Sequence, residues 1–313
     1  MEIYESIEKF INVNVGITSK DKVAIIYNST QPDLAKKIFS FLKRRGISVQ
    51  LFKENEIDRQ NDILINSTFT KFDAILSNTE VTLFHNKGFN ELASQGIKFI
   101  SLTGADISTF TGKAAEADFE SISKTTISLA EMITKGKRIL IENDNGTRIN
   151  GDITNRIANA ETGLNSVKNP SVFPDIEVNT SIIENECNGV LNIDLSMTKF
   201  GKLISPIFLT IQNGKLVDIK GEQSNEIYNW MKSFNDENVF QVAELGIGLN
   251  PNAEIVGNII EDESKLGTAH IGFGNNIFMG GQNNAVTHFD VVFDNPRIFL
   301  DDRLIVNGNE FLF

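Results

Sequence analysis

The chain of 313 residues is 41% hydrophobic and 22% charged, which is ordinary for a globular protein, and its length favours two domains over one. The formal net charge of −12 argues against a nucleic-acid or anionic-membrane partner, because proteins bind such surfaces through lysine and arginine. With one cysteine, no apolar run of roughly 20 residues and no basic-then-apolar N-terminal signal, the sequence predicts a cytoplasmic protein without disulfides.

The first 136 residues alternate between strand-like and helix-like segments. Four apolar runs are typical of buried strands: residues 22–28, 47–53, 72–78 and 97–104. Four segments carry helical spacing or helix-end signals: residues 1–20, 31–46, 85–96 and 117–136. In the second helical segment, Pro32 lies near the start, cations fill the last turn and Gly46 follows. Strands that alternate with helices predict a parallel α/β sheet.

The pattern changes after residue 136. Short apolar runs separated by glycine and asparagine predominate, and only residues 226–234 have clear helical spacing. Asn213 and Gly214 lie between two strand-like runs, which is a strong β-hairpin signal. We therefore predict an α/β domain over residues 1–136 and a β-rich α+β domain over residues 137–313.

Two of the three histidines lie 18 positions apart in one glycine-rich stretch. Alternate residues of a strand share a face, so His288 and Asp290 would project together. His270 shares its face with Gly272 and Gly274, which leave room beside the imidazole. A turn at the intervening glycine pair would bring His270 to the His288–Asp290 pair. Two histidines and one carboxylate form a ligand set for iron(II), zinc or manganese; the alternative is a simple His288–Asp290 hydrogen bond.

Carboxylates favour the metal hypothesis. Glu244 ends an apolar run, where a charge is costly unless it is paired or binds a metal, although exposure at a strand end is the alternative. The acidic run 261–263 precedes His270, but a charge run alone is typical of a solvated loop. The chain has no P-loop, dinucleotide-binding or nucleophile-elbow motif. Cys187 has no histidine nearby in sequence, and an inert thiol is the simpler interpretation.

Four ordered blocks together resemble the aminopeptidase T family of metallopeptidases: AELGIGLNPNA (243–253), EDESKLGTAHIGFGNN (261–276), GG (280–281) and HFD (288–290). One branch of this family contains 2,5-dihydroxypyridine dioxygenase. Residues 169–194 resemble a further block, although Ile176 stands where the family has glycine. The resemblance covers most of residues 170–310. It implies an N-terminal α/β domain, a C-terminal α+β domain that carries the metal, and a homodimer.

The resemblance also implies functional residues, carried over by position. The implied metal ligands are Glu177, Glu244, His270, His288 and Asp290. In the peptidases this set binds two divalent ions, and the ions activate a water that attacks the peptide bond. A carboxylate outside the set, Glu184 or Glu263, would move the proton. The tyrosine that follows the metal histidine in the peptidases is absent, because Ile277 and Phe278 occupy this neighbourhood.

The third histidine, His85, lies in the N-terminal domain in a segment that resembles the short members of the family. In the dioxygenase branch a histidine in this region acts as a base beside the substrate ring. The resemblance therefore implies a catalytic role for His85, reached across the cleft between the domains. A surface position at the start of a helix is the alternative.

Three hypotheses follow. The first is a metal-dependent hydrolase of a peptide or amide bond, with one or two Zn, Mn or Co ions per chain. The second is a mononuclear Fe(II) dioxygenase, in which His270, His288 and Asp290 hold the iron and His85 is the base. The third is a non-catalytic relative that keeps the fold. The missing tyrosine counts against the first hypothesis, and the additional carboxylates Glu177 and Glu244 count against the second.

Overall fold

The structure, a computed structural model, describes residues 1–84, 86–165 and 170–313. It divides into two compact units. Unit 1 comprises residues 1–121 and 161–174, and unit 2 comprises residues 122–160 and 175–313. The chain therefore leaves unit 1 before residue 136, where the sequence places a single boundary, and returns to it once. It returns because a short strand within residues 161–174 completes the sheet of unit 1.

Unit 1 is built on a five-stranded parallel sheet in the order β2-β1-β3-β4-β8. Its strands are β1 (Lys22–Tyr27), β2 (Ser48–Lys53), β3 (Ala74–Asn78), β4 (Lys98–Ser101) and β8 (Ser171–Val172). Its helices are α1 (Ile3–Lys9), α2 (Asp33–Arg44), α3 (Asp62–Phe69), α4 (Lys87–Ser94) and α5 (Ile107–Thr111), with a π-helix at Phe10–Val15 and 3-10 turns at Glu54–Glu56 and Lys113–Glu116. The four strands predicted from apolar runs all form.

Helices bury the sheet of unit 1, which explains its continuous apolar runs. Ile26, Ile75 and Phe99 project from one face into a core that includes Phe69 of α3 and Phe89 of α4. Helix α2 presents a stripe of buried apolar residues to β1 and β2, because Leu34, Ile38 and Leu42 recur at helical spacing. The sequence did not predict α3 or α5, which have eight and five residues.

Unit 2 contains an eight-stranded antiparallel sheet in the order β14-β13-β10-β6-β5-β18-β19-β20 and a seven-stranded sheet in the order β12-β11-β17-β16-β15-β9-β7. The long helix α6 (Phe119–Lys135) leads into it, followed by β5 (Arg138–Glu142), β6 (Arg148–Asp152), β7 (Asn159–Glu161), β9 (Glu177–Ser181), β10 (Cys187–Ile193), β11 (Ser196–Met197) and β12 (Gly201–Lys202). The remaining elements are β13 (Ile207–Gln212), β14 (Lys215–Lys220), α7 (Ser224–Lys232), β15 (Val242–Gly248), α8 (Ile259–Ser264), β16 (Thr268–Gly274), β17 (His288–Asp294), β18 (Arg297–Leu300), β19 (Arg303–Asn307) and β20 (Glu310–Phe311), with 3-10 turns at Glu237–Phe240 and Ile277–Met279.

The two sheets of unit 2 share one apolar interior. Leu209 and Leu216 of the eight-stranded sheet line the same space as Phe273 and Phe289 of the seven-stranded sheet. Helix α7 closes this space with Met231. The predicted hairpin forms between β13 and β14, and Asn213 and Gly214 have φ of 48° and 74°, as a tight turn of this type requires.

The predicted fold class is confirmed, because the structure combines a parallel α/β sheet with a β-rich antiparallel region. Helix α8 was not predicted, since six residues are too few to show a helical period. Among the described residues, no helix is long and apolar enough to cross a membrane.

Candidate metal centre

The five residues implied as ligands lie on one face of the seven-stranded sheet. Glu177 begins β9, Glu244 lies in β15, His270 in β16, and His288 and Asp290 in β17. The antiparallel register puts Glu244, Gly272 and Asp290 in one row across three neighbouring strands. His270 and Gly246 occupy the next row. Because same-face residues alternate along a strand, the two-residue spacing in each segment brings these side chains together.

Glycines on the same face make room for the imidazoles. A Cβ on Gly246 would collide with the ring of His270. A Cβ on Gly272 would lie 2.7 Å from Cε1 of His288 and 2.8 Å from Cβ of Glu244. The glycines that alternate with Glu244 and His270 are therefore needed for close approach of side chains from neighbouring strands.

His288 lies between two carboxylates. Its Nε2 atom is 2.8 Å from Oε2 of Glu244 and 3.1 Å from Oδ1 of Asp290. Its Nδ1 atom lies 2.7 Å from the carbonyl oxygen of Asn275. A carbonyl only accepts a hydrogen bond, so Nδ1 carries a proton and donates it. This arrangement leaves Nε2 available to a metal ion, with the other ring nitrogen held by the backbone, as is usual for histidines that bind metals.

His270 lies on the other side of Glu244. Its Nε2 atom is 3.5 Å from Oε2 of Glu177 and 3.8 Å from Oε1 of Glu244. Glu244 therefore directs one oxygen at each histidine. Within the part of the chain that the structure describes, Oε2 of Glu177 and Nδ1 of His270 have no hydrogen-bond partner, although both side chains are buried. Such an atom costs about 1–3 kcal/mol, so the carboxylate oxygen fits a cation ligand.

Two further buried carboxyl groups adjoin these predicted ligands. Glu263 groups with His270 and Asp290, and Asp175 and Glu177 group with Glu263. In each group the ligand atoms all lie within 4.8 Å of one another. Oxygen and nitrogen donors at such distances, with more carboxyl groups than imidazoles, form a donor set that suits a divalent metal ion. The residues present therefore fit the metal that the resemblance implies.

Burial and neighbouring charges shift the pKa values of the residues in this cluster. Burial raises the pKa of Glu177 to about 7, against the attraction of His270. Burial also raises the pKa of Glu244, but the two histidines beside its carboxylate outweigh burial and bring the pKa to about 2. Burial lowers the pKa of His270, yet the charges of Glu177 and Glu244 outweigh it and raise the pKa to about 9. The cluster therefore attracts positive charge, as protons or as a metal ion.

Comparison with known proteins identifies the family. The model of the family described as NicX, 2,5-dihydroxypyridine 5,6-dioxygenase, matches residues 50–312. This chain belongs to the NicX family. A 2,5-dihydroxypyridine 5,6-dioxygenase of Pseudomonas putida KT2440 is 28% identical over 141 residues, which is 39% of this chain and 39% of that protein's length. That relative is thus matched over well under half of its length.

Solved structures show that members of two enzyme classes share the fold of this NicX family chain. The 2,5-dihydroxypyridine dioxygenase of Pseudomonas putida KT2440 superposes with a TM-score of 0.83 at 16% identity, over 99% of this chain and 96% of that chain. AmpT of Thermus thermophilus superposes with a TM-score of 0.72 at 13% identity, over 99% of both chains. The resemblance to the aminopeptidase T family is therefore supported at the level of the fold, and the family match points to its dioxygenase branch.

Glu263 and Glu184, the two carboxylates predicted as proton carriers, lie in different surroundings. Glu263 of this NicX family member adjoins the ligands, and burial and the charge of Asp290 raise its pKa well above the usual value. Glu184 belongs to none of the ligand groups found among the described residues. Its carboxylate pairs with Arg156 at 2.7 Å and accepts a hydrogen bond from the backbone nitrogen of Gln282. Although burial opposes them, these contacts lower the pKa of Glu184, so it is not a free base.

The acidic run 261–263 is part of helix α8 and not a solvated loop. Asp262 accepts hydrogen bonds from the backbone nitrogens of Val256 and Gly257, and Glu261 accepts one from Glu254. Only Glu263 of the three reaches the ligands. Asp175 was not predicted, and its one signal is its position two residues before Glu177, a spacing that puts side chains on one side wherever a chain is extended.

Two further predicted positions bear on the site of this NicX family member. His85 lies outside the described residues, so its catalytic role stays a prediction. Phe278 occupies the neighbourhood where the peptidases have tyrosine, and its ring lies edge-on to that of His288 with the centroids 5.4 Å apart. Phe278 is 40% exposed and Ile277 is 49% exposed, so the ring of Phe278 is accessible beside His288, a predicted ligand.

Proposed function

We propose that this chain is a metal-dependent dioxygenase that cleaves a small hydroxylated nitrogen-containing aromatic ring. The observation that carries the proposal is the family match over residues 50–312, which includes every residue of the metal centre. The converging donors give it chemical support, because two imidazoles and several carboxylates suit iron(II). The ring of 2,5-dihydroxypyridine, named for the relatives, is the first substrate to test.

In this proposal His288, Asp290 and Glu244 hold iron(II) together with His270. When bound, iron(II) supplies the one-electron chemistry that allows dioxygen to react with an organic ring. Asn275 orients His288 by accepting the proton of Nδ1, which leaves Nε2 directed at the carboxylates. Phe278, edge-on to His288, provides an aromatic surface beside the ligands on which a ring can pack.

Proton handling falls to Glu263 in this proposal. Its carboxyl group lies beside His270 and Asp290 and is buried, so it can hold a proton at its oxygen next to the reacting ring. His85 remains the predicted base, on the resemblance alone. The homodimer is likewise proposed from the resemblance.

A dinuclear hydrolase is the second candidate, and one observation favours it. The two oxygens of Glu244 face different histidines, and among the described residues no single group of mutually close ligand atoms contains both His270 and His288. A carboxylate between two such groups is the arrangement expected of a bridge between two metal ions. In that case Glu177, Glu244 and His270 would hold one ion, and Glu244, His288 and Asp290 the other.

Metal stoichiometry separates the two candidates. The protein is purified without added metal and without oxygen, and its metals are measured by elemental analysis. One iron per chain, with oxygen uptake on addition of 2,5-dihydroxypyridine, is the expected result. Two Zn, Mn or Co ions per chain, with release of amine from aminoacyl amides, would replace the dioxygenase with the hydrolase. No metal after reconstitution with iron(II), zinc or manganese would contradict both.

The variant Glu244→Gln sharpens the measurement. In a mononuclear centre the protein still binds one ion, more weakly, because the remaining three donors stay in place. In a dinuclear centre the stoichiometry falls from two to one, because the bridging oxygen is lost. Asp21→Asn in unit 1 is the control, since it too removes one carboxylate charge from an ion pair, in this case a half-buried pair with Lys98 at 2.9 Å. This control is expected to leave the stoichiometry unchanged.

A further inference from the structure

We propose that Glu184 and Arg156 are positioning residues for His288, acting through residues 275–287, the connection between β16 and β17 (the 275–287 loop). The inference rests on the proposed function only in taking His288 as a metal ligand. It gives Glu184 a different role from the proton carrier that the resemblance implies.

The pair anchors the loop from outside. Arg156 donates one hydrogen bond to Oε2 of Glu184 at 2.7 Å and another to the carbonyl oxygen of Gly280. The second oxygen of Glu184 accepts from Nδ2 of Asn276 at 2.8 Å and from the backbone nitrogen of Gln282 at 2.7 Å. Both charged side chains are mostly buried, with 11% and 17% exposed. Hydrogen bonds to an ionised group in such surroundings are roughly twice as strong as neutral ones.

Asn276 connects this anchor to the metal ligand. Its side chain is fully buried, and its Oδ1 atom accepts from the backbone nitrogen of Asn283 at 2.9 Å. Its own backbone nitrogen donates to the carbonyl oxygen of Asn283 at 3.1 Å. Glu184 therefore holds the side chain of a residue whose backbone is also fixed within the loop.

The peptide group between Asn275 and Asn276 links the anchored loop to the imidazole of His288. The carbonyl of Asn275 and the N–H of Asn276 belong to the same planar unit, so they cannot turn independently. The N–H is held by Asn283, and the carbonyl accepts the Nδ1 proton of His288 at 2.7 Å. Fixing Asn276 thus fixes the direction of the carbonyl, and the carbonyl sets the tautomer and the ring orientation of His288.

The expected loss of metal affinity can be estimated from the hydrogen bonds that support metal-binding histidines. Loss of the partner of the second ring nitrogen typically lowers metal affinity by about 10–100-fold. In Glu184→Gln the amide keeps one accepting oxygen, but its NH₂ group faces either Arg156 or the two loop donors. Donors that faced a carboxylate then lose their acceptor, so the loop is no longer held.

The test measures zinc affinity by competition with a chromophoric chelator. Glu184→Gln is expected to weaken zinc binding by about 10–100-fold. The matched control is again Asp21→Asn, because Asp21 also accepts hydrogen bonds from a backbone nitrogen, a hydroxyl and a cation at similar burial. The control is expected to stay within about twofold of the wild type, a small change against the predicted effect.

A second readout is specific to the imidazole. With three histidines in the chain, ¹⁵N-edited spectra of the zinc form contain few ring signals. The Nδ1 proton of His288 is expected to exchange slowly with water in the wild type and faster in Glu184→Gln. Unchanged affinity, or weakened affinity with unchanged exchange at His288, would overturn the inference.

Variants of Arg156 keep the test valid if Glu184→Gln does not fold. Arg156→Lys retains a cation for Glu184 and is expected to bind zinc nearly as the wild type does. Arg156→Met removes the cation and is expected to weaken zinc binding by about tenfold. Equal affinity of the two variants would contradict the inference. A wild type that binds neither zinc nor iron(II) would overturn this inference together with the proposed function, whereas normal wild-type zinc binding with unaffected variants would overturn this inference alone.

Discussion

The two faces of the seven-stranded sheet in unit 2 differ in what their residues do. On β16, His270 and Gly272 project to the ligand face, while Ile271 and Phe273 project to the interior shared with the other sheet. On β17, His288 and Asp290 lie on the ligand face, and Phe289 on the interior face. Successive residues of one strand thus belong to a polar cluster and to a packed core.

The difference shows how one sheet combines stability with chemistry. Ile271, Phe273 and Phe289 are at most 1% exposed, and the rings of Phe273 and Phe289 stack with their centroids 5.6 Å apart. Their burial stabilises the sheet, at roughly 25 cal/mol per Å² of apolar area. The ligand face has the opposite balance, because it concentrates buried carboxyl groups whose repulsion and desolvation destabilise the metal-free protein. We expect substitutions on the two faces to separate stability from metal binding.

The largest expected effect is the loss of metal from the ligand face. His288→Ala removes the imidazole between Glu244 and Asp290, and we expect metal affinity to fall by more than about 100-fold, beyond the loss of a supporting hydrogen bond. Elemental analysis after gel filtration measures this. Phe289→Leu, one residue further along the same strand, is the control and should keep its metal. Normal metal content in His288→Ala would show that the ligand assignment is wrong.

The interior face should respond in stability instead. Phe273→Ala removes a fully buried ring, and we expect the free energy of unfolding to fall by about 3–5 kcal/mol. Urea denaturation of the metal-free protein measures this change. Phe273→Ala protein that remains folded should bind as many metal ions per chain as the wild type does. Loss of metal in proportion to the loss of stability would show that the two faces are not separable.

A glycine on the ligand face gives a smaller and more specific effect. Gly272→Ala adds one methyl group close to His288 and Glu244, so both ligands must shift. We expect metal affinity to fall by about 10-fold or more, comparable to other changes that misplace a ligand. Ile271→Val, next to it on the interior face, should instead cost about 0.5–1.5 kcal/mol of stability and leave affinity unchanged. Isothermal titration with zinc distinguishes the two outcomes.

The smallest expected effect concerns Phe278, whose exposed ring lies beside His288. Phe278→Ala removes the ring beside His288, and we expect KM for the proposed substrate, 2,5-dihydroxypyridine, to rise severalfold, as loss of about 1 kcal/mol of ring packing implies. Metal content and kcat should change little. Ile277→Ala, at the adjacent exposed position, is the control. Equal effects of the two variants would show that Phe278 does not contact the ring.

Part of the candidate metal centre could be predicted because its signals are local. The two-residue spacing of His288 and Asp290 places both on one strand face wherever that strand lies. The glycines beside His270 indicate close approach before any partner is known. The same local reasoning could not place the acidic run 261–263 in a helix, because the six residues of helix α8 show no period.

The sequence by itself determined the alternation of strands and helices, the change to β structure after α6, and the same-face spacing of the ligand residues. These follow from backbone periodicity, which is a property of neighbouring residues. The tertiary structure alone decided that β15 lies between β9 and β16, and that Glu244 meets both histidines. It also decided that Glu184 meets Arg156 and Glu263 meets the ligands. Strand order and the partners of a buried charge depend on contacts between distant parts of the chain, which no local pattern records.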